Sequence, residues 1–103
     1  MSVREATNKE QGKKRLHLVI HGKVQGVGYR AWVYECASQL QLSGWVQNIE
    51  NSRVEILAEG FSKNLSSLLQ SCFTGPKRAQ VTSIEENWLE FQDAWQDFSI
   101  RYP

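Results

Sequence analysis

The chain has 103 residues, 41% of them hydrophobic and 22% charged, which is the make-up of one domain that buries a modest core without cross-links. A formal net charge of +1 speaks against a dedicated nucleic-acid binder. No run is long and apolar enough to span a bilayer, and the N-terminus lacks a signal-type hydrophobic segment, so a cytoplasmic protein with no membrane contact is expected.

Residues 1–14 are polar and are expected to form a flexible arm, with one domain over 15–103. From Arg15 to His21 the residues alternate: Leu16, Leu18 and Ile20 share one face, and His17, Val19 and His21 the other, predicting a strand covered on one side. Both histidines are expected at the surface of the uncovered side. A glycine-rich loop follows. Val33, Ala37 and Leu40, with Cys36 on the same stripe, predict a helix over 30–42 that Gly44 ends. Trp45–Asn48 reads as a short strand, with Trp45 facing away from the helices, and a tight connection leads to a third strand in which Val54, Ile56 and Ala58 alternate with polar neighbours.

Ser62 is the expected N-cap of a second helix with the stripe Leu65, Leu68, Leu69 and Cys72, and Gly75-Pro76 breaks it. A fourth strand is expected over 79–86 and a last short one through Phe98, Ile100 and Tyr102. Between them Trp88, Phe91 and Trp95 are expected to form a hairpin excursion that covers part of the core or meets a partner. Cys36 and Cys72 lie on helix stripes and are expected to be buried free thiols, and no Cys/His cluster suggests a metal.

The order βαββαβ, built from two right-handed βαβ units, predicts an α+β sandwich of the ferredoxin-like kind, with two helices packed on one face of an antiparallel sheet. Strands one and two then run parallel, and their C-terminal ends meet at one edge. Val46 must face the helices, so Asn48, two residues on, does too and points toward the start of the first helix.

That start carries Arg30. A cation in the first helical turn opposes the macrodipole by about 0.3–1 kcal/mol, and a bound anion removes the conflict. Three glycines in Gly22–Gly28 allow several backbone N–H groups to converge on one point, where an anion is the natural occupant, and the Arg30 guanidinium could grip two oxygens of a phosphate there. The Walker pattern and GxGxxG are both absent, as are HExxH, paired carboxylates and a serine elbow. A hydrolase built here lacks an obvious protein base or nucleophile and needs a substrate with a good leaving group, a clamp and a group that positions water. The strands over 15–21 and 53–59 carry no aromatic residue, against an RNA-binding sheet.

Gly22-Lys23-Val24-Gln25-Gly26-Val27-Gly28-Tyr29-Arg30 resembles the first signature of the acylphosphatase family. Gly44-Trp45-Val46-Gln47-Asn48, followed by Val54 and Gly60, resembles the second at the family's separation. The resemblance implies hydrolysis of small acyl phosphates to a carboxylate and inorganic phosphate, with no metal or other cofactor. It places the phosphate cradle on Lys23, Val24, Gln25, Gly26, Val27, Gly28 and Tyr29, the essential arginine on Arg30, and the water-orienting asparagine on Asn48.

Tyr29 stands where the family has Phe or Met, so its hydroxyl needs a partner. Ser52 stands where the second signature has Gly; a positive φ there costs about 1–2 kcal/mol, unless Asn51 takes the left-handed position. The alternative reading is a non-catalytic anion-binding module on the same fold. A monomer with no nucleic-acid partner is expected.

Overall fold

The computed structural model describes residues 12–102. In β1, Lys13–Lys23, the expected alternation holds, with Leu16, Leu18 and Ile20 fully buried beneath the helices. The strand begins at Lys13, inside the stretch expected to be an arm, because Lys13 and Lys14 pair with Phe61 and Gly60 of the neighbouring strand. Polar strand ends add backbone hydrogen bonds without burial, so alternation does not register them. The rest of the expected arm, residues 1–11, lies outside the described residues.

Helix α1, Tyr29–Gln39, is shorter than expected. Gln41 takes φ 58, its N–H donates to the Ser38 carbonyl at 3.0 Å, and the Leu42 N–H reaches back to the Ala37 carbonyl at 2.9 Å. This pair of bonds is a Schellman cap, built on glutamine where glycine is usual. Gly44 does not end the helix. It lies in β2, Ser43–Ile49, with φ 132, where a Cβ would sit 1.9 Å from the Leu57 carbonyl oxygen of β3, Arg53–Phe61.

Helix α2, Ser62–Thr74, starts directly from β3. Phe61, still extended at φ −64 and ψ 138, holds the N-cap position, and Ser62 is helical with its N–H donated to the Gly12 carbonyl at 2.7 Å. The expected Ser62 cap therefore does not form: an N-cap needs extended backbone, and the last sheet-paired residue already supplies it. Leu65, Leu68 and Cys72 are buried as expected, and the helix stops at Gly75.

The fourth strand, β4, Gln80–Glu90, runs four residues past the expected end, because Asn87, Trp88, Leu89 and Glu90 pair with His17, Leu16, Arg15 and Lys14. It lies at the sheet edge and is mostly exposed, so burial leaves no pattern in it to read. Residues 91–97 make no hairpin; they cross the end of the sheet to β5, Phe98–Arg101, on the opposite edge. Strand order is β4-β1-β3-β2-β5. Since β5 runs parallel to β2, the five-stranded sheet is mixed rather than purely antiparallel. Both helices lie on one face, α1 over β2 and β5, α2 over β1, β3 and β4, and the core fills the layer between.

The other face carries paired polar groups beside the buried Val19 and Trp45. The histidines expected at the surface are both bonded to carboxylates: His17 Nε2 to Glu55 Oε2 at 2.7 Å, and His21 Nε2 to Glu85 Oε2 at 2.5 Å. Glu59, 1% exposed, anchors the crossing segment: its carboxylate accepts the N–H groups of Gln92 (2.7 Å) and Ala94 (2.9 Å) and Nε of Arg15 (3.0 Å). Burial pushes its carboxyl upward, and these three donors more than reverse that, holding it below the usual carboxylate range. Trp95 stacks on Arg15 at 4.8 Å, and Phe91 lies 5.4 Å from Lys13 Nζ. These aromatics thus cover basic side chains and, with Trp88, stay outside the hydrophobic core.

Candidate active site

The glycine loop is pinned at both ends by side chains that leave it for the core. Val24 is buried where β1 ends. At the far end Tyr29 is buried, and its hydroxyl donates to the Cys72 carbonyl at 2.7 Å, the partner the sequence required. Burial, then the nearby Cys72, raises the phenol far above its ordinary range, so it stays protonated. The Cys72 thiol is pushed up to about 12, chiefly by burial, and is inert. With both ends fixed, the backbone between them is what the loop presents.

Gly26 and Gly28 take φ 73 and 80, and a Cβ on either would meet nothing within 4 Å. Glycine is therefore needed for the left-handed backbone rather than for lack of space. Gly28 is also the N-cap of α1, which has no side-chain cap bond and no acidic residue in its first turn. Among the described residues, no backbone acceptor takes the N–H groups of residues 25–28, and the first helical bond runs from Trp32 N–H to Gly28 at 3.1 Å. Several donors at the start of a helix are thus left without a backbone partner, the arrangement that binds anions.

Arg30, in that first turn, donates from Nη1 to the Arg101 carbonyl at 3.3 Å, and its guanidinium lies 4.7 Å over the Tyr102 ring. The end of β5 holds the cation at the mouth of the loop. Asn48 stands on β2 on the same face as the buried Val46. Its Oδ1 is shielded from solvent and, among the described residues, has no hydrogen-bond partner. An orphaned buried acceptor costs about 1–3 kcal/mol, so its position calls for a functional reason.

Gly26, Gly28, Arg30 and Asn48 line one cleft of about 190 Å³ together with Val24 and Tyr29. Typical pockets for larger ligands are roughly 300–1,000 Å³, so this one suits a phosphoryl group and a water rather than a nucleotide. Lys23, Gln25 and Val27 do not line it. Lys23 is exposed and pairs with Gln80, and Val27 packs against the core. Gln25 turns its carboxamide away, donating from Nε2 to the carbonyls of Ile49 and Arg53, each at 2.9 Å. Any part these three take in an anion cradle is limited to backbone N–H groups. Ala31, Ile100 and Tyr102 complete the lining and were not foreseen. The register of Phe98, Ile100 and Tyr102 was visible, but not that β5 lies beside β2 with its C-terminal end at the cleft. Among the described residues no three His, Cys, Asp or Glu side chains cluster as a metal site requires.

The family model described as Acylphosphatase matches residues 16–100. The chain belongs to the acylphosphatase family. It is 41% identical over 88 residues to the acylphosphatase of Caldanaerobacter subterraneus, covering 85% of this chain and 98% of that one. With the acylphosphatase of Azorhizobium caulinodans it shares 45% identity over 85 residues, covering 82% and 91%. The crystal structure of acylphosphatase from Bacillus subtilis superposes with a TM-score of 0.84 at 36% identity, over 86% of this chain and 99% of that one. An acylphosphatase from Coxiella burnetii gives a TM-score of 0.85 at 35% identity, over 92% and 99%. Nothing in these comparisons favours a non-catalytic module.

Proposed function

We propose that this acylphosphatase hydrolyses acyl phosphates in the cleft between the glycine loop and Asn48. The phosphoryl oxygens lie against the N–H groups of the loop and the Arg30 guanidinium. The observation that carries the reading is that Asn48, whose buried Oδ1 has no partner among the described residues, lines the same cleft as Gly26, Gly28 and Arg30. A water held by the Asn48 carboxamide at the cleft wall is placed for in-line attack on phosphorus.

The water oxygen forms the new bond to phosphorus, and the bridging P–O bond breaks with its electron pair leaving on the carboxylate. That leaving group has a pKa of about 4, so no general acid is needed. A neutral amide is a poor base, and the water's proton passes to a phosphoryl oxygen. Charge spreads over the phosphoryl oxygens in a loose transition state, so positioned donors supply most of the catalysis.

Small acyl phosphates, a monomeric state and a cytoplasmic location fit this reading. The exposed edge strand β4 carries Glu85, Glu86 and Glu90, charges that discourage strand pairing between copies. Cys36 and Cys72 are free, as suits a reducing compartment. The test is metal-free hydrolysis of benzoyl phosphate by the wild type, Arg30→Ala and Asn48→Ala. Arg30→Ala should lose phosphate binding and turnover, and Asn48→Ala mainly turnover; wild-type rates in both variants would refute the assignment.

A further inference from the structure

We infer that Gln25 is a positioning residue, whose carboxamide sets the distance between the phosphate-binding loop and Asn48. The inference rests on the site reading above. Gln25 sits in the middle of the loop, three residues after Gly22 and five before Arg30, yet its side chain does not enter the cleft. Its single Nε2 donates both hydrogens across the β2–β3 hairpin, to Ile49 O and to Arg53 O, each at 2.9 Å. Ile49 and Arg53 face each other in the register of that hairpin, and Asn48 is the residue just before Ile49.

The hairpin needs such a strut. Its connection runs through Asn51 and Ser52, both left-handed with φ 64 and 63, and neither is glycine. Arg53 Nε donates to the Glu50 carbonyl at 2.9 Å, bracing the turn from outside, on an exposed side chain. Among the described residues, the side-chain bonds that join the turn to the loop are those from Gln25. Only a primary amide or a cation offers two such donors from one nitrogen. Both loop ends are anchored elsewhere, by Val24 and Tyr29 in the core. Removing the amide therefore leaves the anion cradle formed and frees the hairpin, and with it Asn48, to move relative to the cradle.

This predicts a split between binding and turnover. Gln25→Ala and Gln25→Met, the second keeping the aliphatic stem without donors, are first matched to the wild type by thermal unfolding. They are then assayed with benzoyl phosphate, with inorganic phosphate as competitive inhibitor. Since a displacement of about 1 Å can lower a rate roughly a hundredfold, kcat should fall by about ten- to a hundredfold. The inhibition constant of phosphate should stay within about twofold, since binding shared by ground and transition states is untouched. In an Asn48→Ala background the same substitutions should lower kcat by less than about twofold, as groups acting through one another are not additive.

Unchanged kcat, a loss of phosphate affinity equal to the loss of kcat, or equal losses with and without Asn48 would each overturn the inference. Wild-type turnover by Asn48→Ala alone would overturn it too, and that single variant identifies the underlying reading as the part that failed.

Discussion

The two ends of the sheet treat polar groups in opposite ways. At the end where β4 passes to β5, the buried Glu59 receives three donors, from Gln92, Ala94 and Arg15, and both of its carboxylate oxygens are bonded. At the other end, among the described residues, the loop N–H groups of residues 25–28 have no backbone acceptor and Asn48 Oδ1 has no partner. Matched groups hold a fold together, and unmatched ones are available to a substrate. The contrast separates the part of the molecule that keeps the chain closed from the part where the proposed chemistry takes place.

Substitutions at the unmatched end should change rates and leave stability nearly intact. The largest expected effect is that of Arg30→Ala, a fall in kcat/KM of about 10²–10³-fold or more, as for loss of one transition-state donor. Asn48→Ala should lower kcat by about 10²-fold with KM little changed, and raise Tm slightly as the orphaned oxygen disappears. A large loss of Tm in either variant would blur the contrast.

Substitutions at the matched end should do the reverse. Glu59→Gln removes the charge that three donors converge on and should cost about 3–5 kcal/mol of unfolding free energy, while kcat of the folded enzyme is unchanged. Because the carboxyl of Glu59 is lowered in the folded state, its contribution is present above the unfolded carboxylate pKa of about 4.3 and is lost as pH falls through the lower folded value. Tm measured from neutral pH into acid should fall below about pH 4, and this acid limb should flatten in Glu59→Gln.

The smallest effect sharpens the boundary between the two ends. Ser52 takes φ 63 in the hairpin that carries Asn48, and Gln41 takes φ 58 in the cap of α1. Glycine at either position relieves left-handed strain, for a gain of about 0.5–1 kcal/mol after its own entropic penalty. Denaturant unfolding reads the gain in both, and Gln41→Gly should leave kcat unchanged.

Most of the elements were legible because burial writes a period into them. Leu16, Leu18 and Ile20 marked β1, and Leu65, Leu68 and Cys72 marked α2. Where burial ends, legibility ended too. The last four residues of β4 are exposed, the cap of α1 is made by glutamine, and the N-cap of α2 falls on the paired Phe61. In the candidate site, the meeting of Gly26, Gly28, Arg30 and Asn48 at one cleft was legible, because alternation along β2 and the strand–loop–helix order bring them to one edge.

The sequence by itself determined the local chemistry: which loop can turn its backbone toward an anion, which cation stands at the helix start, and which neutral amide shares their edge. Only the tertiary structure decided that Tyr29 and Val24 anchor the loop in the core, that Gln25 faces the hairpin, and that β5 brings Ile100 and Tyr102 to the cleft. The reason is physical. Periodicity reports how each element meets the core, whereas these contacts join elements far apart in the chain through single side chains and a parallel strand pairing, which leave no repeating trace in the sequence.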